Sequence, residues 1–485
     1  MLKIFKKNKA VKLTEGNILK NLMILSFPIM FSNFFQTFYN LTDAFFLGKL
    51  DENARNAVSV AGLTFPLVMF IASFGAGFMV GGVALISHSK GRGESEKIKK
   101  LLGQFIFLLS VFSLFFISAK VIFIRKLLLF LNTPPEIFDS ALSYIGIIMN
   151  GMIFMFVFLL YQSFAHGMGD TLTPMKIQIV SVGVNIILDP VLILGLSGFQ
   201  KYGVKGAAVA TFIARIIAAL FAVIYFIKDY REYLPELKDL IPEKNLIKQI
   251  FDISIPASFA QSASGFGFLI LQGFINSYGT VAISVYSVSE RITNVYMLPA
   301  IGISGALTTL IGQNLGAGKP ERAEKSFAIT LKAVFIVMFS GCVVLFLAGE
   351  QITKFFINDP EVVAAGKRIL QLDAVASLIY CILSVFNGVF NGSGHTKPAM
   401  LFNIARLWIF RIPAVYILSG YALNFSFAQN IPFFYDFVAF VSEPLKKYPY
   451  DSFWWAMIFS NILTLIWAYF IFSKGDWKKL KYTGK

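Results

Sequence analysis

Long apolar stretches, broken by short polar or charged clusters, run the whole length of this 485-residue chain. Twelve are long enough to cross roughly 30 Å of hydrocarbon at about 1.5 Å per helical residue. They fall at 21–47, 57–87, 101–123, 138–166, 172–196, 206–227, 247–275, 280–313, 329–349, 366–391, 398–420 and 452–473. The pattern predicts an all-α integral membrane protein with no sizeable soluble domain. The N-terminus is basic, and its first apolar run is followed by further spans instead of a small-residue cleavage site, so no cleavable signal peptide is expected.

The polar punctuation repeats after about 225 residues. His166-Gly-Met-Gly-Asp-Thr171 returns as Asn391-Gly-Ser-Gly-His-Thr396, and Gly91-x-Gly93 as Gly316-x-Gly318. Ser26-Phe-Pro28 is matched by Ser254-Ile-Pro256, Ala57-Val-Ser-Val60 by Ala282-Ile-Ser-Val285, and Thr133-Pro-Pro-Glu136 by Asp359-Pro-Glu361. Each half holds six spans, an even number, so both halves enter the membrane in the same orientation. They are therefore expected to form two six-helix lobes related by a pseudo-two-fold axis normal to the membrane. The first lobe, 1–237, includes the basic tail and the start of the linker, and the second is 238–485. The charged connector Lys228–Lys248, with Pro235 and Pro242, suits a linker between lobes that rock. One segment breaks the symmetry. The insertion 421–451, rich in Phe, Tyr and Pro, stands where the first half has only the short Ser197–Lys205. It is read as a cap on the extracellular opening, a segment in the interface, or an ordered loop.

Composition strengthens the membrane reading: 56% of residues are hydrophobic, 14% are charged, and 53 are Phe. A soluble domain could not keep so much apolar surface from water. The net charge of +16 invites a nucleic-acid reading, but its distribution does not. Most of the 43 lysines and arginines sit in the N-terminal tail, the loops around Lys90–Lys100, Lys228–Lys248 and Lys319–Lys332, and the C-terminal Lys474–Lys485. With both termini in the cytoplasm this is the positive-inside pattern of a multi-pass cell-membrane protein, with anionic lipid and not nucleic acid as the partner.

The two cysteines, Cys342 and Cys381, lie within spans and read as small apolar packing residues. His88, His166 and His395 are far apart and near the cytoplasmic ends of spans. No spacing suits a metal centre, a phosphate-binding loop or a nucleophile with its base, so neither an enzyme nor a cofactor is expected.

Charges inside the membrane are expensive unless paired, hydrated or used, so they carry the functional weight. The first half has Asp43 in span one, Asp189 in span five and Arg215 in span six. Asn185 and Asp189 are four apart and share a helix face. With the Thr211 hydroxyl they offer converging oxygens for a monovalent cation, and two neighbouring carboxylates equally suit a shared proton. The bland alternative is an Asp189–Arg215 pair that pins two helices. The second half has Glu290 and Arg291 in span eight, Asp373 early in span ten, and Arg406 and Arg411 in span eleven. Its arginines either tie helices or line a cavity, with Arg291 and Arg411 the candidates for lining. Phe31, Phe35 and Phe38 recur at helical spacing on span one and are candidate cavity walls, although such a stripe also suits lipid or core.

Several motifs, in order, resemble the multidrug and toxic compound extrusion (MATE) transporters over essentially the whole chain. They are Leu41-Thr-Asp-Ala-Phe-Phe-Leu-Gly48, Asn185-Ile-Ile-Leu-Asp-Pro190, Gly203-Val-Lys-Gly-Ala-Ala208 leading into Thr211, Gly312-Gln-Asn-Leu-Gly-Ala317, and the paired Gly-x-Gly-x-Thr segments ending at Thr171 and Thr396. The resemblance implies a secondary active exporter that antiports organic, often cationic, compounds against inward H⁺ or Na⁺, acting as a monomer around a central cavity. It implies a coupling site at Asp43, Asn185, Asp189 and Thr211, which is also where Na⁺ would bind, and a hinge at Pro28. Some relatives carry further carboxylates in spans seven and ten. Here Pro256–Gly267 and Tyr380–Asn391 contain none, so the pattern is nearer the DNA-damage-inducible F-type branch, with coupling concentrated in the first lobe. The alternative within the same superfamily is a flippase for lipids or lipid-linked oligosaccharides, which would use a strongly cationic cavity.

Overall fold

The computed structural model describes residues 12–50, 54–425 and 429–482, which are almost entirely helical and contain no strand. The basic residues Lys3–Lys9 and Lys485 lie outside this set, as does part of the insertion, 426–428. Helices α1 (Ile18–Gly48), α2 (Ala54–Arg92), α3 (Ser95–Phe130), α4 (Pro135–Asn150), α5 (Met152–Met168), α6 (Leu172–Leu194) and α7 (Val204–Asp229) build the first lobe. The second is built from α8 (Lys244–Asn276), α9 (Thr280–Gly316), α10 (Pro320–Phe356), α11 (Pro360–Gly392), α12 (Thr396–Ala405), α13 (Ile412–Leu418), α14 (Pro432–Ser442) and α15 (Ser452–Ser473). Residues Arg406–Arg411 form a π-helical turn that joins α12 to α13 in one span.

Eleven of the described helical segments are long and apolar enough to cross a membrane, and α4–α5, bent by 40°, completes twelve. The bend falls at Gly151, where the missing side chain makes room for the Phe212 ring of α7, 3.2 Å from where a Cβ would stand. An even number of spans returns the chain to its starting side, so both described chain ends lie on one face, called here the terminal face. The linker is pinned there. The buried Gln104 amide on α3 donates to the Asp239 and Ile241 carbonyls, both at 2.8 Å, and accepts from the Glu243 backbone N–H at 2.9 Å.

The duplicated motifs meet at the terminal face and close it. Gly169 and Gly394 take left-handed φ values of +90° and +80°, as helix C-caps require. The carbonyls beside them become acceptors for the opposite lobe. Thr309 and Gln313 on α9 donate to His166 and Gly167 at 3.1 and 2.8 Å, while His88 on α2 reaches the Gly392 carbonyl at 2.7 Å. In each Gly-x-Gly pair the two glycines do different work. Gly93 and Gly318 turn the chain at φ +76° and +69°, whereas Gly91 and Gly316 let α2 and α9 touch. His395, in the turn before α12, has its pKa lowered by burial and then by the Lys481 charge, which keeps it neutral near pH 7.

The chain ends cross over as well. Leu13 is fully buried in the core of the second lobe, and Arg322 donates to the Glu15 and Gly16 carbonyls at 2.7 and 2.9 Å. From the other end, the Tyr482 carbonyl accepts from Arg92 of the first lobe at 2.9 Å. These hydrogen bonds between lobes lie in the half of the bundle nearest the terminal face. A deeper one runs from Ser258 to the Phe74 carbonyl, 3.2 Å.

Candidate functional site

Helix α6 packs against both α1 and α7. Side-chain bonds fix that packing: Gln178 donates to Gln36 on α1 at 2.8 Å, and Ser181 to the Ala214 carbonyl of α7 at 2.9 Å. The three helices bring Asp43, Asn185, Asp189 and Thr211 together. Asn185 and Asp189 have no exposed surface, and Thr211 is 5% exposed. The Asn185 amide donates to one Asp189 oxygen at 3.3 Å, and the Asp43 and Asp189 carboxyl groups are neighbours in the same pocket. As two anions they would only repel, so their nearness needs a shared proton or a cation between them.

Two tyrosines complete the pocket. The Tyr39 and Thr211 hydroxyls are 2.7 Å apart, and Tyr39 lies beside Asp43. Tyr144 stands close enough to interact with both carboxylates. Sequence reasoning did not single out either tyrosine. For Tyr39 the signal was present, since it precedes Asp43 by one helical turn on the same face. Arg215 does not form the alternative bridge to Asp189. Its guanidinium donates to the Ile148 carbonyl of α4 at 3.2 Å and sits in the electrostatic field of Asp43, Tyr39 and Tyr144. Three acceptor oxygens remain buried without a protein donor: Asp43 Oδ1, Asn185 Oδ1 and Asp189 Oδ2. Each such atom normally costs about 1–3 kcal/mol, and they cluster where a monovalent cation or proton would satisfy them. Among the described residues no three His, Cys, Asp or Glu side chains gather for a multivalent metal.

The second lobe is chemically different. Asp373 is 4% exposed, and one of its carboxylate oxygens, Oδ2, accepts from both Ser289, at 2.6 Å, and Thr293, so this buried acid is held by protein hydroxyls. Arg411 corrects an expectation: it does not line a cavity. It is 1% exposed and donates to Ser460 and Asn461 of α15 at 3.1 and 2.8 Å, tying the span that contains the π-helical turn to the last one. Arg406 lies over the Tyr380 ring, 4.6 Å from its centroid. Arg291 and Glu290 are exposed and form no ion pair among the described residues. Replacing Arg411 with methionine strands two acceptors, so unfolding in detergent should fall by about 1–3 kcal/mol of stability while ion binding in the first lobe is retained. Thermal unfolding followed by an ion-binding assay checks both parts.

An apolar cavity of 430 Å³ lies between α2, α8 and the α12–α13 span, lined by Phe70, Phe259, Ala263, Phe266, Ile270 and Trp408 among others. Phe70 and Phe266 face each other across the lobes with ring centroids 6.2 Å apart. Phe31, Phe35 and Phe38 do not line this cavity. Phe31 packs on Phe27 and Phe35 on Phe34, and Phe38 is half-exposed. Pro28 is buried inside α1, which continues through it unbroken.

The model of one family, MatE, matches the chain twice, over residues 28–191 and 256–417. This chain belongs to the MatE family. The two matches repeat the duplication read from the sequence, one in each lobe, and together cover more than half of the chain. Members are membrane transporters and not enzymes. Among curated relatives, a protein named "Probable multidrug resistance protein YpnP" from Bacillus subtilis is 26% identical over 437 residues, covering 88% of this chain and 96% of the relative. The "Multidrug export protein MepA" of Staphylococcus haemolyticus is 29% identical over 410 residues, covering 84% and 88%. A solved structure described as the outward-facing conformation of a multidrug resistance MATE family transporter superposes with a TM-score of 0.84 at 22% identity, covering 99% of this chain and all of that one. The MatE fold accounts for the two six-helix lobes and their pseudo-two-fold relation.

Proposed function

We propose that this chain is a secondary multidrug exporter, antiporting organic and often cationic compounds out of the cell against inward H⁺ or Na⁺. The observation that carries the reading is the cluster of three unpaired acceptor oxygens on Asp43, Asn185 and Asp189 inside a membrane protein of the MatE family. Buried carboxylates held together without a fixed partner are a site for a mobile positive charge. Arg215 stands beside them, so the pocket carries one net negative charge when both aspartates are ionised, and one monovalent cation neutralises it. The names of the YpnP and MepA relatives support drug export, and the apolar cavity with its aromatic walls suits bulky organic substrates.

In this reading lobe 1–237 rocks against lobe 238–485, with Pro28 as a bending point in α1. The terminal face is cytoplasmic by the positive-inside rule, the membrane is the cell membrane, and the transporter works as a monomer. Closure at the terminal face opens the pocket side to the exterior. The entering ion binds Asp43 and Asp189, Thr211 and Tyr39 supply hydroxyl oxygens, and the altered packing of α1 on α6 and α7 favours substrate release. The ion drives transport only because it binds the two conformations with different affinity. The flippase alternative needs a cationic cavity, and the burial of Arg406 and Arg411 removes two of its candidate charges.

The test uses the full chain in proteoliposomes with a fluorescent organic cation. Imposing a proton gradient and a sodium gradient separately identifies the coupling ion. Collapsing both is expected to stop accumulation, and accumulation that persists with both collapsed would overturn the antiport reading.

A further inference from the structure

The insertion that breaks the repeat, 421–451, contains an 11-residue helix, α14, between the last two spans on the face opposite the chain ends. At about 100° per residue, its side chains sort into two arcs. Phe440, Phe433, Phe437, Val441, Phe434 and Val438 form one continuous apolar arc of roughly 160°. Tyr435, Ala439, Asp436 and Ser442, with Glu443 just beyond the helix, occupy the opposite side. The protein covers only half of the apolar arc. Val438 is buried and Phe434 and Val441 are partly buried against the bundle, where α14 packs on α13. The other half, Phe433, Phe437 and Phe440, is 84%, 46% and 79% exposed.

We propose that α14 is an interfacial membrane helix whose Phe433–Phe437–Phe440 face is covered by the lipid acyl-chain boundary at the face opposite the chain termini. The occupant follows from three facts. The helix packs on the end of the preceding span, α13, and on the turns Tyr421–Asn424 and Glu443–Leu445, so it stays beside the ends of the spans it connects. The span that follows it, α15, exposes an apolar stripe of its own, Trp455, Phe459, Ile462 and Ile466, which only lipid can cover in a membrane-spanning helix. The polar arc of α14 lies opposite the apolar one, so water and hydrocarbon can each meet a matching side at once, as an in-plane helix requires. Aromatic rings and the nearby Lys446 and Lys447 suit the headgroup boundary. A lid folded over the central opening would bury the same three rings in protein. A second copy would have to shield them from lipid altogether.

Site-directed spin labels decide among these. Cys342 and Cys381 are buried and free, so they are first replaced by alanine. Nitroxides are then placed one at a time at Phe440→Cys, Phe433→Cys and, on the polar arc, Asp436→Cys, in the full chain reconstituted into phosphatidylcholine–phosphatidylglycerol vesicles. Collision with oxygen, which concentrates in lipid, and with a water-soluble nickel chelate is read by power saturation. Labels at 440 and 433 should favour oxygen several-fold more than the label at 436. Equal access at all three positions, exclusion of both reagents at 440 and 433, or spin–spin broadening between copies would each overturn the proposal.

Discussion

Asp189→Asn is expected to reduce ion-driven efflux in proteoliposomes to the level of protein-free vesicles, and Asp43→Asn should do the same. Asparagine fills nearly the same space, so α1, α6 and α7 can still pack. The loss should appear in coupling and not in folding, with unchanged gel-filtration behaviour and a melting temperature near that of the parent. The size of the effect follows from the charge balance. With one carboxylate gone, the pocket's remaining aspartate is already balanced by Arg215, and an entering cation gains no net electrostatic neutralisation. A tenfold loss of ion affinity is about 1.4 kcal/mol, comparable to much of the roughly 2.3 kcal/mol that 100 mV supplies per charge. Wild-type rates in both variants would remove the first-lobe pocket from the account. Arg411→Met provides the contrast, because it weakens helix packing in the other lobe without changing this charge balance.

What was legible in the sequence was what local chemistry decides. Hydropathy located all twelve spans, and the helices overrun the predicted ends mainly where charged residues continue the helix out of the apolar zone. The span read as 329–349 is Pro320–Phe356, because Lys325 and Glu350 bound an apolar run without ending a helix. The span read as 138–166 is two helices, since a single glycine looks harmless in a hydropathy plot. Asn185 and Asp189 were readable as a pair because four residues make one turn. Tyr39 was hidden in an aromatic-rich helix where one more ring carried no signal. Arg411 was misread because its acceptors, Ser460 and Asn461, are 49 and 50 residues away, and only tertiary packing brings them to it. The duplication was visible as a repeat, but its use at the lobe interface was not. Which lobe's carbonyls meet which lobe's side chains is decided by the pseudo-two-fold, not by either copy alone.

That use makes the second large prediction. Gly316→Val and Gly91→Val should each block closure of the terminal face and abolish transport while leaving both lobes folded. A Cβ at Gly316 would stand 3.1 Å from His88 Cα, and one at Gly91 would stand 2.9 Å from the Ala317 nitrogen. These neighbours are backbone atoms of the opposite lobe and cannot swing aside, so the lobes must separate. Overpacking of this kind typically costs about 1–3 kcal/mol, which moves a two-state equilibrium by roughly tenfold to a hundredfold. The strain is relieved by opening the interface, so the population shifts toward the state open at the terminal face. Spin-label distances between the ends of α2 and α9 should lengthen, and drug efflux should fall to background. Gly93→Ala and Gly318→Ala are the matched controls. Nothing lies within 4 Å of a Cβ at either position, so only the left-handed backbone is strained, at about 1–2 kcal/mol, and the interlobe distance should stay as in the parent. Equal distances in the valine and alanine variants would mean that the first glycine of each pair serves the turn alone. Lengthening confined to Gly91→Val and Gly316→Val would mean that the duplicated Gly-x-Gly is where each lobe recognises the other.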